Sequence, residues 1–243
     1  MWKHESALAA CALCAALALG EPLPAQRGGK QTARDLFYAE AGLIVAPEHS
    51  RKGRFGAARQ STVAVALGLK YRLWKWNGAE IVEADPAGPF APGDQIRLGF
   101  ETNDTGYLYV VRREADGQWR RLFPAPEIEH GSHFIHSGVT YPVPPEEGLK
   151  LEFPGGVERI FVALSRAPLK DLAVLVSPPQ PENTVSAQPA PAISDAVVER
   201  VRSFLIPKEL VTENASPEKA VYVVSRSGRP DSLIAVEIRF GGR

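Results

Sequence analysis

Cysteine is almost missing from this chain. The 243 residues hold two, Cys11 and Cys14, both inside one apolar run near the N-terminus. That excludes a disulfide-stapled scaffold and, past that run, any thiol nucleophile or thiolate metal ligand. Net charge is missing as well: 28 Lys and Arg balance 28 Asp and Glu, which removes the electrostatic footprint of a nucleic-acid binder. The longest uncharged apolar run, residues 7–19, is too short for a permanent membrane span. Catalytic signatures are missing too. There is no Gly-x-Ser-x-Gly elbow, and Gly53-Arg54-Phe55-Gly56 lacks the length and the Lys-Ser/Thr of a phosphate loop. Ser132 beside His133 and His136 has nothing to orient it as a dyad, and Glu146-Glu147 sits among prolines and glycines as a solvated pair. The chain reads as a protein without enzymatic activity.

The N-terminus has the layout of a secretory signal peptide. A polar start with Lys3 is followed by the apolar run and then by Gly20-Glu21-Pro22-Leu23-Pro24-Ala25. Cleavage is expected after Ala25, with Gly20 as the alternative. Leu8-Ala9-Ala10-Cys11 also fits a lipid-attachment box, although the apolar run continues past Cys11, where a mature lipoprotein turns polar. Loss of residues 1–25 removes both cysteines, Lys3, Glu5 and Glu21, leaving 27 basic against 26 acidic residues. The expected product is a near-neutral domain in the periplasm or outside the cell, with no permanent membrane span.

Twenty-one prolines and 21 glycines favour turns over long helices. Residues 26–62 read as a short helix around Ala33, Leu36 and Phe37, followed by a basic loop with Arg51, Lys52, Arg54 and Arg59. Residues 63–176 read as the core of a β-sandwich. Period two puts Leu67, Leu69, Tyr71 and Leu73 on one face and Lys70, Arg72, Trp74 and Trp76 on the other. Asn77-Gly78 predicts a type I′ hairpin, and Asp116-Gly117 another. Residues 95–102 alternate, with Ile96, Leu98 and Phe100 inward. Residues 107–111 and 159–165 are apolar on both faces, the mark of strands in a sheet interior. Trp119, Arg121 and Phe123 are expected on one side of a strand, and residues 169–176 as a short helix. Residues 177–193 form a Pro-rich linker. In 194–243, Ser194 caps a helix with a stripe of Val197, Val198, Val201, Phe204 and Leu205, expected to close an open end of the sandwich. Two last strands around Ser227-Gly228 are expected as a hairpin joining the sandwich. The predicted fold is mainly β: an antiparallel, immunoglobulin-like β-sandwich with a few short peripheral helices.

One ordered series of short motifs carries a family resemblance. It runs through Gly68-Leu69-Lys70-Tyr71, Phe90 with Gly93-Asp94-Gln95-Ile96-Arg97-Leu98, and Gly106-Tyr107-Leu108-Tyr109-Val110. It continues through Leu122-Phe123-Pro124, Tyr141-Pro142-Val143-Pro144, Pro154-Gly155 and Leu164-Ser165-Arg166. In these the chain resembles an uncharacterised exported bacterial family, domain of unknown function 4384. The resemblance implies an accessory or sensing role and supplies no catalytic residues. The chain departs from it in residues 128–136, where three histidines replace an expected Asn/Gly-rich loop.

Two constellations are candidate sites. Trp74 and Trp76, flanked by Lys70 and Arg72, make an aromatic platform for sugar rings, peptide prolines or a partner protein if they are exposed, and an ordinary packed face if they are covered. His130, His133 and His136, with Glu129 or Glu127, would hold a zinc or copper ion only if their loop curls, because on a regular strand His133 opposes the other two. The leading reading is a non-catalytic interaction or sensing module with a protein partner in the cell envelope and no cofactor. The alternative is a metal-binding protein built on the histidine loop.

Overall fold

The structure is a computed structural model and describes residues 31–39, 66–176 and 191–241. The expected signal peptide, the basic loop and most of the Pro-rich linker lie outside the described residues. The strands in chain order begin with β1 (Leu67–Asn77), β2 (Glu80–Ala84), β3 (Gln95–Thr102), β4 (Gly106–Arg113) and β5 (Trp119–Phe123). They continue with β6 (Phe134–Ile135), β7 (Tyr141–Val143), β8 (Leu149–Lys150), β9 (Glu158–Ser165) and β10 (Ala192–Ile193). The last are β11 (Leu210–Ala215), β12 (Ala220–Ser225) and β13 (Leu233–Phe240). Among the described residues two α-helices, α1 (Ala33–Tyr38) and α2 (Asp195–Ser203), and several 3₁₀ turns accompany them.

All pairings are antiparallel. The first sheet has the order β11-β12-β1-β3-β7, with β2 beside β1 and β8 beside β3; the second has β10-β5-β4-β9-β13, with β6 beside β4. The sandwich core forms where the inward residues of both sheets meet. Leu69, Leu73, Ile96, Leu98 and Phe100 from the first sheet face Leu108, Val110, Ile160, Val162 and Ile234 from the second, all without solvent exposure. Each such side chain stabilises by about 1.5–3 kcal/mol relative to an exposed one. Registers keep these rows aligned, with Tyr71 opposite Phe100 and Val110 opposite Val162.

The outward residues of β4, β5, β9 and β13 build a second core. Tyr109, Val111, Trp119, Phe161, Ala163 and Ala235 are buried under Leu172 and Leu175 of a 3₁₀ segment (Lys170–Val176) and under Val198 and Val201 of α2. Helix α2 therefore covers a sheet face and not an open end, which corrects the expectation from its stripe. Ser194 occupies the N-cap position without a side-chain capping bond, and Phe204, placed in the stripe by spacing, is 60% exposed. On the opposite side α1 opens with a capping box. Thr32 Oγ1 accepts from Asp35 N at 3.1 Å, and Asp35 Oδ2 accepts from Thr32 N at 3.1 Å. Its Leu36 and Phe37 pack on Tyr222 and Val224 on the outer face of the first sheet.

Four local expectations are corrected. The first hairpin turns on Gly78-Ala79, because Asn77 pairs with Glu80; only Gly78 has positive φ, the type II′ pattern. The second has a three-residue loop in which Gly117 N donates to Glu114 O and Gly117 takes φ 81°, the type I turn plus left-handed glycine arrangement. In β5 the register shifts, Val110 facing Phe123 but Val111 facing Arg121, so Leu122 is bulged. The bulge turns Trp119 to the outer core and Phe123 to the inner one, where the periodicity puts them on one face. Finally, β12 and β13 do not pair with each other. β12 lies between β1 and β11, and β13 lies along β9 in the other sheet.

At one end the inner core is closed by charge. Arg112 Nε and Nη2 donate to Glu158 Oε1 and Oε2 at 2.7 and 3.1 Å, and Glu158 Oε2 also accepts from Glu152 N at 2.9 Å. The Glu158 side chain is fully buried. Burial pulls the Arg112 guanidinium toward neutrality, and the bonds to Glu158 outweigh it, leaving it above its ordinary value. Glu158→Gln leaves the buried Arg112 with only the exposed Glu152 carboxylate, 3.6 Å away, as counter-charge, and an unfolding free energy lower by about 3–5 kcal/mol is expected in urea titrations. A loss below about 1 kcal/mol would show that the pair is not needed for the fold.

Candidate functional site

The outer face of the first sheet carries the predicted aromatic pair. β1 is longer than its partner β12 needs, since pairing between them ends at Arg72 opposite Ala220. Beyond that point β1 is bordered by β2 and β3, with Trp74 opposite Glu83 and Arg97, and Trp76 opposite Ile81. Both tryptophans are half-buried. Each lies against a glycine: a Cβ on Gly99 would come within 2.7 Å of Trp74, and one on Gly148 within 2.6 Å of Trp76. The Arg97 guanidinium stacks on Trp76 at 5.0 Å from the ring centre and donates to the Glu146 carbonyl. The missing side chains at Gly99 and Gly148 thus let the rings lie down on the sheet. Ile81, opposite Trp76, is 47% exposed and extends the apolar part of this face.

Polar groups beside the rings are incompletely used. Among the described residues four buried side-chain nitrogen or oxygen atoms lack a hydrogen-bond partner, and three of them, Arg72 Nε, Glu83 Oε1 and Arg97 Nε, belong to this face. Arg72 Nη1 stands 3.7 Å from Glu83 Oε1. Lys70 is different. It is 6% exposed, and its Nζ donates to Glu101 Oε2 at 2.8 Å and to Tyr38 OH at 3.1 Å. Helix α1 therefore removes Lys70 from the surface that Arg72, Trp74 and Trp76 share. Periodicity alone could not show this, because Tyr38 is distant in sequence.

The three histidines do not converge. Among the described residues no group of three or more His, Cys, Asp or Glu side chains is arranged to hold a metal ion. His133 packs on Tyr107 and Tyr109, ring centres 4.9 and 5.3 Å apart, and burial pushes its imidazole below the ordinary value. His130 and Glu129 are exposed in a 3₁₀ turn, and His136 is exposed with its ring edge-on to Phe134.

A polar cluster that periodicity did not single out lies on the outer face of the second sheet. Glu237 accepts from Arg159 Nε and Nη2 at 2.6 and 3.1 Å, from Arg239 Nε at 2.7 Å and from Arg202. Burial raises its carboxyl, and these bonds more than reverse that, bringing it down to about 2. Beside it Asp195 accepts from Arg113 Nη2 at 2.7 Å and Trp119 Nε1 at 2.6 Å, which hold it below the usual carboxylate range. The arginines come from segments far apart in sequence, so no local pattern announces them.

Fold and surfaces together define an antiparallel β-sandwich with both outer faces partly covered by short helices. Residues 89–168 match the family model described as Domain of unknown function (DUF4384). The match spans β3 through β9 and confirms the resemblance over that part of the chain, while the Trp-bearing hairpin precedes it. No curated protein and no solved structure matches the chain. Several family-like motifs have structural explanations. Gly93 takes φ 91°, and Asp94 Oδ2 accepts from Ala91 N at 2.9 Å and Lys75 Nζ at 2.6 Å, fixing the entry to β3.

Gly99→Ala puts a methyl group into the Trp74 ring, and a stability loss of about 1–3 kcal/mol with a changed tryptophan emission spectrum is expected; an unchanged spectrum and midpoint would show that Trp74 does not rest on Gly99. For Glu237, the folded value near 2 lies below the ordinary 4.5, so its contribution is complete above about pH 4.5 and is lost as pH falls toward 2. Denaturant midpoints of Glu237→Gln should therefore be lower than wild type at pH 6 and vary less between pH 4.5 and 2; parallel curves would contradict the assignment.

Proposed function

We propose that this protein is a non-catalytic, exported interaction module that binds a protein partner of the cell envelope through the Trp74 and Trp76 face. The observation that carries this reading is the combination on one sheet face of two half-buried tryptophans, an exposed Ile81 and the guanidinium groups of Arg72 and Arg97 beside the rings. Tryptophan and arginine are also the side chains that most often dominate protein interfaces. Export is supported by the apolar N-terminal run and its helix-breaking exit at residues 20–26. No described helix is long and apolar enough to cross a membrane.

Affinity capture from periplasmic extract with the purified protein tests the reading. Trp74→Ala and Trp76→Ala, each checked for an intact fold by near-ultraviolet circular dichroism, are expected to lose a captured protein by tenfold or more. Recovery of the same proteins in the same amounts by wild type and both variants would remove this face from consideration.

A further inference from the structure

A second surface carries a ligand assignment of its own. On the outer face of the second sheet, Arg159 of β9 stands directly opposite Arg239 of β13. Arg113, the last residue of β4, continues the row, one position beyond Arg112 opposite Ile160. Three guanidinium groups thus lie side by side across three adjacent strands, an arrangement that repels itself unless countered. Counter-charge comes from behind the row. Glu237 takes Arg159 Nε and Nη2 and Arg239 Nε, and Asp195 takes Arg113 Nη2. Each guanidinium carries five N–H donors, so these bonds leave other donors of all three. Arg113 Nε is buried and has no hydrogen-bond partner.

The row borders an open cleft of about 510 Å³, whose opposite wall is Pro154, Gly155 and Val157. Among the described residues no carboxylate lines this cleft, and the Glu237 side chain is 8% exposed. A narrower extension of about 330 Å³ reaches Glu114 and Asp116 of the β4–β5 hairpin, where Arg120 Nη2 donates to Asp116 at 2.7 Å. The arginines are also held in place from the sides. Arg159 lies over Trp119 at 5.4 Å, and Trp119 Nε1 donates to Asp195. A planar, fixed guanidinium fork matches the oxygens of a multiply charged oxyanion better than a point charge does.

We infer that the cleft between Arg113, Arg159 and Arg239 and the Pro154-Gly155 wall is a binding site for a small phosphate-bearing ligand. Its place on the second sheet makes it independent of the tryptophan face on the first.

Calorimetric titration of the full chain with inorganic pyrophosphate at low ionic strength, with citrate in a parallel arm, tests the assignment. Saturable binding of one pyrophosphate is expected, weakened about tenfold in Arg113→Gln and in Arg239→Gln and unchanged in Arg72→Gln on the other sheet. Arg239 is 62% exposed, so its replacement leaves the fold intact and keeps the comparison interpretable. Absence of saturable uptake, or equal weakening by all three variants, overturns the site. Tighter binding of citrate than of pyrophosphate overturns the phosphate assignment.

Discussion

Two-sided burial of β4 and β9 is the constraint on which the rest of this fold depends. Leu108 and Val110 face the first sheet while Tyr109 and Val111 face the other way, and Ile160, Val162 and Leu164 alternate with Phe161 and Ala163 in the same manner. A strand that is apolar on both faces must be covered on both. The first sheet supplies one cover. The other has to come from elsewhere in the chain, and the 3₁₀ segment Lys170–Val176 and α2 supply it. The dependence is mutual. A nine-residue helix is too short to persist alone in water, so α2 exists because Phe161, Trp119 and Val111 offer it an apolar surface.

Charge is used differently at the two ends of this arrangement. The Arg112–Glu158 pair lies inside the sandwich, where desolvation offsets most of the attraction, and its value is in what it positions. Glu158 Oε2 accepts from the backbone of Glu152 and Phe153, and so fixes the approach to the Pro154-Gly155 loop, with Phe153 held at φ 52°. That loop is the wall facing Arg113, Arg159 and Arg239. A core ion pair thereby sets the geometry of a surface cleft. On the cleft side, Glu237 holds Arg159 and Arg239, and Asp195 holds Arg113.

Much of the frame was legible in the sequence wherever a strand is buried on one face. Residues 95–102 alternate without interruption, and β3 occupies that span. Legibility failed where pairing overrides local signals. Asn77-Gly78 suggests one turn, but the register from Trp76 opposite Ile81 places the turn one residue later. Leu122 carries no mark of a bulge, yet it reverses the facing of Trp119 and Phe123. The Ser227-Gly228 region resembles a hairpin turn, but β12 and β13 each find a better edge, on β1 and β9. Strand β11, polar and half-exposed, had no clear alternation to announce it. At the candidate surfaces, period two correctly grouped Arg72, Trp74 and Trp76, while the burial of Lys70 under Tyr38 and the arginine row depend on contacts between distant segments.

The matched segment, residues 89–168, ends at strands whose outer edges need partners. Strand β3 is bordered on one side by β7 and β8 and requires β1 on the other; β9 is bordered by β4 and requires β13. An unpaired edge in either place would invite association with other chains. Within this protein the residues that close those edges also complete its two surfaces. β1 brings Arg72, Trp74 and Trp76 to the edge of β3, and β13 brings Glu237 and Arg239 beside Arg159. Closure of the sheets and completion of the candidate sites are therefore the work of the same strands, which join Arg97, Arg113 and Arg159 of the matched segment to residues outside it.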